Sequence, residues 1–98
     1  MIVVIFEAEI RSLDGEYQHL AKQLRQLATE KYRCIRFESI TEGEKEIAVS
    51  YWHSLEDVNA WKADSLHQKA QQMGRAFWYR HYAVTIAEVL HQYEKGTP

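Results

Sequence analysis

The apolar positions of this chain switch between a period of two and a period near 3.6, and each switch marks an element. Ile2-Val3-Val4-Ile5-Phe6 is apolar at every position, and Ala8 and Ile10 then alternate with Glu7 and Glu9. A strand apolar on both faces is expected inside a sheet with both sides covered. Tyr17, Leu20, Ala21, Leu24, Leu27 and Ala28 follow at steps of 3, 1, 3, 3 and 1. That is one face of a helix ending near Glu30-Lys31. Ser12 or Asp14 is its candidate N-cap, and Glu16 in the first turn suits the helix dipole.

Cys34 to Ile40 alternates Ile35 and Phe37 against Arg36 and Glu38, a strand pattern. Thr41-Glu42-Gly43-Glu44 supplies a turn, Gly43 being suited to a positive φ. In the return strand Ile47, Val49 and Tyr51 alternate with Ala48, Ser50 and Trp52. Ser54 caps a second helix with Asp57 at its third position, and Val58 and Trp61 form the apolar face. Leu66, Ala70 and Met73 continue the helical spacing after a break near Asp64-Ser65, and Gly74 reads as a C-terminal stop. From Ala76 to Leu90 the pattern is again that of a strand. The order is β-α-β-β-α-β, the ferredoxin-like α+β arrangement with an antiparallel sheet.

The last strand carries a size argument. Its fifteen residues, if extended, span about 50 Å, whereas a domain of this length is roughly 34 Å across. An apolar overhang (Val84, Ile86, Val89, Leu90) is a liability unless it pairs. The expectation is a homodimer in which it joins the partner's sheet, with the second face of the first strand covered in the same way.

Composition narrows the function classes. Ninety-eight residues make one domain, 1–98, with a loose tail over 94–98. A net charge of −2 and a first helix mixing Lys22 and Arg25 with Glu16 and Glu30 argue against nucleic acid. The opening apolar run is broken by Glu7 and Glu9, too early for a membrane helix, and has no basic segment before it. It reads as a strand rather than a signal peptide. The single cysteine, Cys34, excludes an internal disulfide, fits a reducing cytoplasm and reads as a packed thiol. The histidines lack metal-site spacing and there is no glycine-rich phosphate loop, so neither metal nor nucleotide is expected.

Chemistry concentrates between Tyr51 and Tyr82, where all three tryptophans and three of the five histidines fall. Aromatic rings beside imidazoles suit a flat organic ligand. The residues Ser50-Tyr51-Trp52-His53-Ser54-Leu55-Glu56-Asp57, Trp61-Lys62, His67, Gly74-Arg75 and Trp78-Tyr79, with Glu38-Ser39 before the turn, resemble the antibiotic biosynthesis monooxygenase (ABM) domain. The resemblance implies a dimeric α+β barrel with a cleft between helices and sheet in each subunit. It also implies oxygenation of phenolic or quinol-type substrates without metal or flavin, hence no cofactor. Two alternatives on the same fold stay open: a non-catalytic ligand-binding or stress-associated dimer, and an isomerase acting by proton transfer.

In the polyketide oxygenases of that family a Trp on the second helix is followed six positions later by a Tyr, with an Arg on the last strand. Here Trp61 matches the Trp, His67 stands at the Tyr position, and Arg80 matches the Arg. His67 is the candidate catalytic base, since imidazole titrates near neutral pH. Trp61 is a candidate ring clamp or core residue, and Arg80 an anion holder or a salt-bridge partner of Glu88. Tyr51, Phe37, Trp78 and Tyr82 are candidate wall residues, or packing for the sheet and dimer. Period two puts Trp78, Arg80 and Tyr82 on one face of the last strand and Phe77, Tyr79 and His81 on the other. The haem-degrading branch has a haem-ligating His ten positions after its Trp. That position here is Gln71, and the first strand has no Asn, so haem ligation of that kind is not expected.

Overall fold

The computed structural model describes residues 1–96. Its elements are β1 (Ile2–Ile10), α1 (Gly15–Glu30), β2 (Arg36–Glu42), β3 (Lys45–Trp52), α2 (Leu55–Ala63), α3 (Ser65–Met73), a π-helical turn over Gly74–Trp78, and β4 (Tyr79–Glu88). The four strands form one antiparallel sheet in the order β2-β3-β1-β4. The residues around Gly43, whose φ is +60°, close the β2–β3 hairpin as the sequence implies. The expected tail carries no helix or strand as far as Gly96, and Thr97 and Pro98 lie outside the described residues.

Register sorts the side chains. Ile2, Val4, Phe6 and Ala8 pair with Trp52, Ser50, Ala48 and Glu46, and directly opposed residues in an antiparallel pair share a face. This is the face the helices cover. Val4, Trp52, Val58, Trp61, Ala28 and Cys34 form its core cluster, with Trp52 and Val58 fully buried. Each tryptophan N–H is satisfied, as burial requires: Trp52 donates to Ser50 Oγ (2.8 Å), Trp61 to the Leu24 carbonyl (3.2 Å) and Trp78 to Asp14 Oδ1 (3.2 Å). Val3, Ile5, Val49 and Tyr51 point to the opposite face, which no helix covers.

Caps account for the helix ends. Asp14, not Ser12, caps α1 by accepting from the Tyr17 N–H (2.9 Å). Ser54 caps α2 by accepting from the Asp57 N–H (3.2 Å). The break between α2 and α3 is Asp64, whose extended backbone ends one helix while its Oδ1 accepts from Leu66 N–H and starts the next.

Two expectations fail at the end of α3. Gly74 is not a left-handed stop, since its φ and ψ of −61° and −48° are helical. The chain continues through one π turn, closed by the Tyr79 N–H donating to the Gly74 carbonyl. Ala76, Phe77 and Trp78 are therefore helical, and β4 is ten residues long rather than fifteen. At about 3.3 Å each these fit within the molecule's 40 Å long axis. β4 pairs along β1 from Ile10↔Tyr79 to Ile2↔Glu88, so it has no overhang. That support for a dimer is gone, while the uncovered sheet face remains.

The second change is a bulge. Glu9 pairs with His81 and Ile10 with Tyr79, leaving Arg80 as the extra residue. A bulge resets side-chain alternation, so Tyr79 and Tyr82 lie on the same side and both approach Phe6, at centroid distances of 5.4 and 5.8 Å.

Gly74 matters for space rather than for φ. A Cβ there would lie 3.1 and 3.2 Å from two carbons of the Tyr79 ring. Replacing a helical Gly by Ala otherwise stabilises by about 1 kcal/mol. Gly74→Ala is expected to lose that gain and to lower the urea midpoint, because the Tyr79 ring must shift. A full helical gain in stability would show that the ring is not held.

Candidate functional site

Between the helices and the inward face of the sheet lies a cavity of ≈ 210 Å³. Its floor comes from alternate residues of the strands, among them Val4, Phe6, Phe37, Glu46, Ala48 and Tyr82. Its roof comes from α1, α2, α3 and the π turn, through Leu20, Leu24, Trp61, His67, Ala70 and Trp78.

At one end the rings interlock around Trp61. Its indole stands edge-on to Phe37 (6.0 Å) and to the His67 imidazole (4.3 Å) and tilts against Trp52 (5.1 Å). Trp61 is thus a core residue that also lines the cavity. Arg25 lies over Phe37 (5.2 Å) and donates to Ser39 Oγ (2.8 Å). His67 is half-buried on α3, and its Nδ1 is buried without a hydrogen-bond partner. Burial, and secondarily the Lys62 ammonium, pushes the imidazole down to about 4, against weaker opposing pulls from its own backbone and from Asp64. At neutral pH it is uncharged.

The other end holds a group that the sequence reading passed over. Glu46 is only 4% exposed. Its Oε1 accepts from the Tyr17 hydroxyl and its Oε2 from the Tyr79 hydroxyl (2.8 Å). Burial raises the carboxyl above its usual range, partly countered by the Tyr79 hydrogen bond. Tyr79 is raised far above an ordinary phenol by burial first and by the carboxylate second. Trp78 meets Tyr17 edge-on at 5.3 Å, closing this end. A signal existed: Glu46 is in phase with Ala48, Ser50 and Trp52, the inward set of β3.

Of the seven candidate residues, His67, Trp61, Phe37, Trp78 and Tyr82 line the cavity. Two do not. Tyr51 lies on the opposite sheet face, with Arg36 over its ring at 4.6 Å. Arg80, the bulge residue, turns to the sheet rim, where it donates to Glu44 (2.7 Å) and to the Ile10 carbonyl (3.2 Å). Its salt bridge is with Glu44, not with Glu88. Among the described residues no group of three or more His, Cys, Asp or Glu could hold a metal ion. No helix among them is long and apolar enough to cross a membrane.

The state of His67 makes stability depend on pH. The unfolded imidazole takes a proton near 6.5, the folded one only near 4. Stability therefore falls as pH drops through that window, by up to about 3 kcal/mol. Glu46, raised by burial, acts in the opposite sense, so wild type must be compared with His67→Gln. The variant is expected to lack the His67 part of the acid-side loss, and the wild-type imidazole to titrate near pH 4 by NMR. Titration near 6.5 would show an open, solvated ring.

No family model matches the chain. The uncharacterised protein YqjZ of Bacillus subtilis (strain 168) is 36% identical over 87 residues, which are 88% of this chain and 76% of YqjZ. SnoaB, a cofactor-independent oxygenase of Streptomyces nogalater, superposes with a TM-score of 0.77 over 96% of this chain and 97% of SnoaB, at 7% identity. A candidate antibiotic biosynthesis monooxygenase of Nitrosomonas europaea superposes with a TM-score of 0.76 over 93% of this chain and all of its own, at 13% identity. At such identities the structural likeness is one of fold. The chain belongs to one family with YqjZ, and its fold is that of the antibiotic biosynthesis monooxygenase domain.

Proposed function

We propose that this chain acts as a homodimer whose cleft takes a small planar aromatic or quinol-type molecule and oxygenates it without a cofactor. One observation carries the reading. The cavity is walled by aromatic rings and lined by His67, whose buried Nδ1 has no hydrogen-bond partner. A buried polar atom left unpaired costs roughly 1–3 kcal/mol, a cost that a ligand hydroxyl meeting it would remove. The neighbouring Trp61 indole supplies a surface for a flat ring. The description of SnoaB as a cofactor-independent oxygenase supports the same chemistry.

In this reading a ring hydroxyl gives its proton to His67, and the O–H electron pair stays on the substrate oxygen. Burial leaves the imidazole uncharged but a weaker base than the free side chain that titrates near neutral pH. The imidazolium then lies beside the anion just formed, and their attraction in a water-poor site offsets the burial that otherwise disfavours charging. The electron-rich ring anion reacts with dioxygen. One oxygen atom becomes bonded to a ring carbon and the other leaves as water, so a quinol is converted to a hydroxyquinone by loss of four electrons.

The homodimer is supported by the sheet face that no helix covers. Val3, Ile5, Val49 and Tyr51 form an apolar band there, bordered by Val89 and Tyr93 from the segment after β4. An apolar band of this kind on a sheet matches a second copy of the same band.

Oxygen uptake with a panel of hydroquinones tests the chemistry. Wild type is expected to consume oxygen with at least one, and His67→Ala to lower that rate by about 10²–10⁴-fold. An unchanged rate removes His67 from the reaction, and binding without uptake leaves a ligand-binding protein. Light scattering tests the assembly: wild type is expected at twice the 11.6 kDa of one chain, and Ile5→Glu at the mass of a monomer. A monomeric wild type at micromolar concentration defeats the dimer.

A further inference from the structure

Glu46 has a second consequence for the cleft. An ionised carboxylate offers about four lone-pair positions. Tyr17 and Tyr79 occupy two of them, one on each oxygen. The remaining positions belong to a group that lines the same cavity as His67. They can receive only a donor, since a carbonyl, an ether or a second carboxylate brought there is repelled or left unpaired. The walls at this end are rings: Phe6, Tyr82 and Trp78 surround the two tyrosines. Glu46 enters the cavity from the sheet layer and His67 from the helix layer. A flat molecule lying between the layers meets one polar group from each.

We propose that Glu46, held between Tyr17 and Tyr79, is a second polar anchor that receives a ligand hydroxyl hydrogen. The cleft then takes uncharged planar molecules with two ring hydroxyls and turns away ring carboxylates. This rests on the cleft being a ligand site and assigns the second polar contact of the quinol-type ligand proposed for it. His67 meets one hydroxyl and Glu46 the other. Arg25 and Lys62 also line the cavity and favour the opposite outcome, attraction of a ring carboxylate. Arg25 is already engaged with Ser39 and Phe37, whereas each oxygen of Glu46 accepts only one hydrogen bond and has acceptor capacity to spare.

The test is a set of anaerobic titrations followed by quenching of tryptophan fluorescence, since Trp61 and Trp78 line the cavity. The probes are 1,4-dihydroxynaphthalene, its monomethyl and dimethyl ethers, and 1-naphthoate. Wild type is expected to bind the diol about tenfold or more tighter than the dimethyl ether and the naphthoate, the scale of a hydrogen bond to a charged group. Glu46→Gln is expected to weaken the diol by about tenfold and to leave the dimethyl ether within about twofold. Equal binding of diol and dimethyl ether, tighter binding of naphthoate, or a Glu46→Gln variant that keeps the diol preference overturns the proposal. The wild-type comparison needs no variant, so a poorly folding Glu46→Gln does not shelter it. Binding is read without turnover: absent oxygen uptake removes the oxygenase reading alone, and failure to bind any probe removes both.

Discussion

A carboxylate buried at an inward position of a sheet is expensive unless hydrogen bonds reach it, because its charge is largely removed from water. Glu46 is such a group, and much of the cleft is arranged so that two hydroxyls arrive. Tyr17 comes from the first turn of α1, whose start is set by the Asp14 cap. Tyr79 comes from the opposite side, directly after the π turn. Asp14 also accepts the Trp78 N–H, tying both approaches together. The lack of a side chain at Gly74 leaves room for the Tyr79 ring. The cap, the turn and the glycine therefore bear on one electrostatic problem.

This explains which parts of the molecule were legible in its sequence. β1, α1, the Ser54 cap and the break at Asp64 follow from short-range rules, namely period, capping chemistry and local backbone preference, and the structure has each of them. The π turn and the bulge at Arg80 do not follow from such rules. Gly74 after a helical run has the look of a stop, and only the distant Tyr79 ring and its bond to Glu46 give another reason for a glycine there. The bulge in turn falsifies strict alternation across residues 78–82, which is why Tyr79 and Tyr82 share the cleft and Arg80 leaves it. Glu46 was readable by phase but sits between Lys45 and Ile47 beside a charged turn. There a glutamate ordinarily faces water.

His67 and Glu46 are displaced in opposite directions by one cause. Burial disfavours charge, so it lowers the imidazole and raises the carboxyl. Their surroundings then diverge. Glu46 has two donors that stabilise its anion, while the Nδ1 of His67 has none. One group is already hydrogen-bonded within the protein, and the other is not. Such divergence of paired titratable groups is the usual mark of a site with separate holding and proton-accepting roles.

The uncovered sheet face bears on the cleft through β1. Its even-numbered residues Val4 and Phe6 floor the cavity, and its odd-numbered residues Val3 and Ile5 point to the face that no helix covers. A strand with both sets packed is restrained on both sides, and a one-residue slip would exchange them. Covering Val3 and Ile5 would therefore fix the height and register of the floor on which a ligand rests, although no residue from the far side enters the cavity. In the proposed dimer the two faces of one strand would couple assembly to the geometry between His67 and Glu46. A flat ligand meeting both layers, as proposed, would depend on that spacing more than on any single contact.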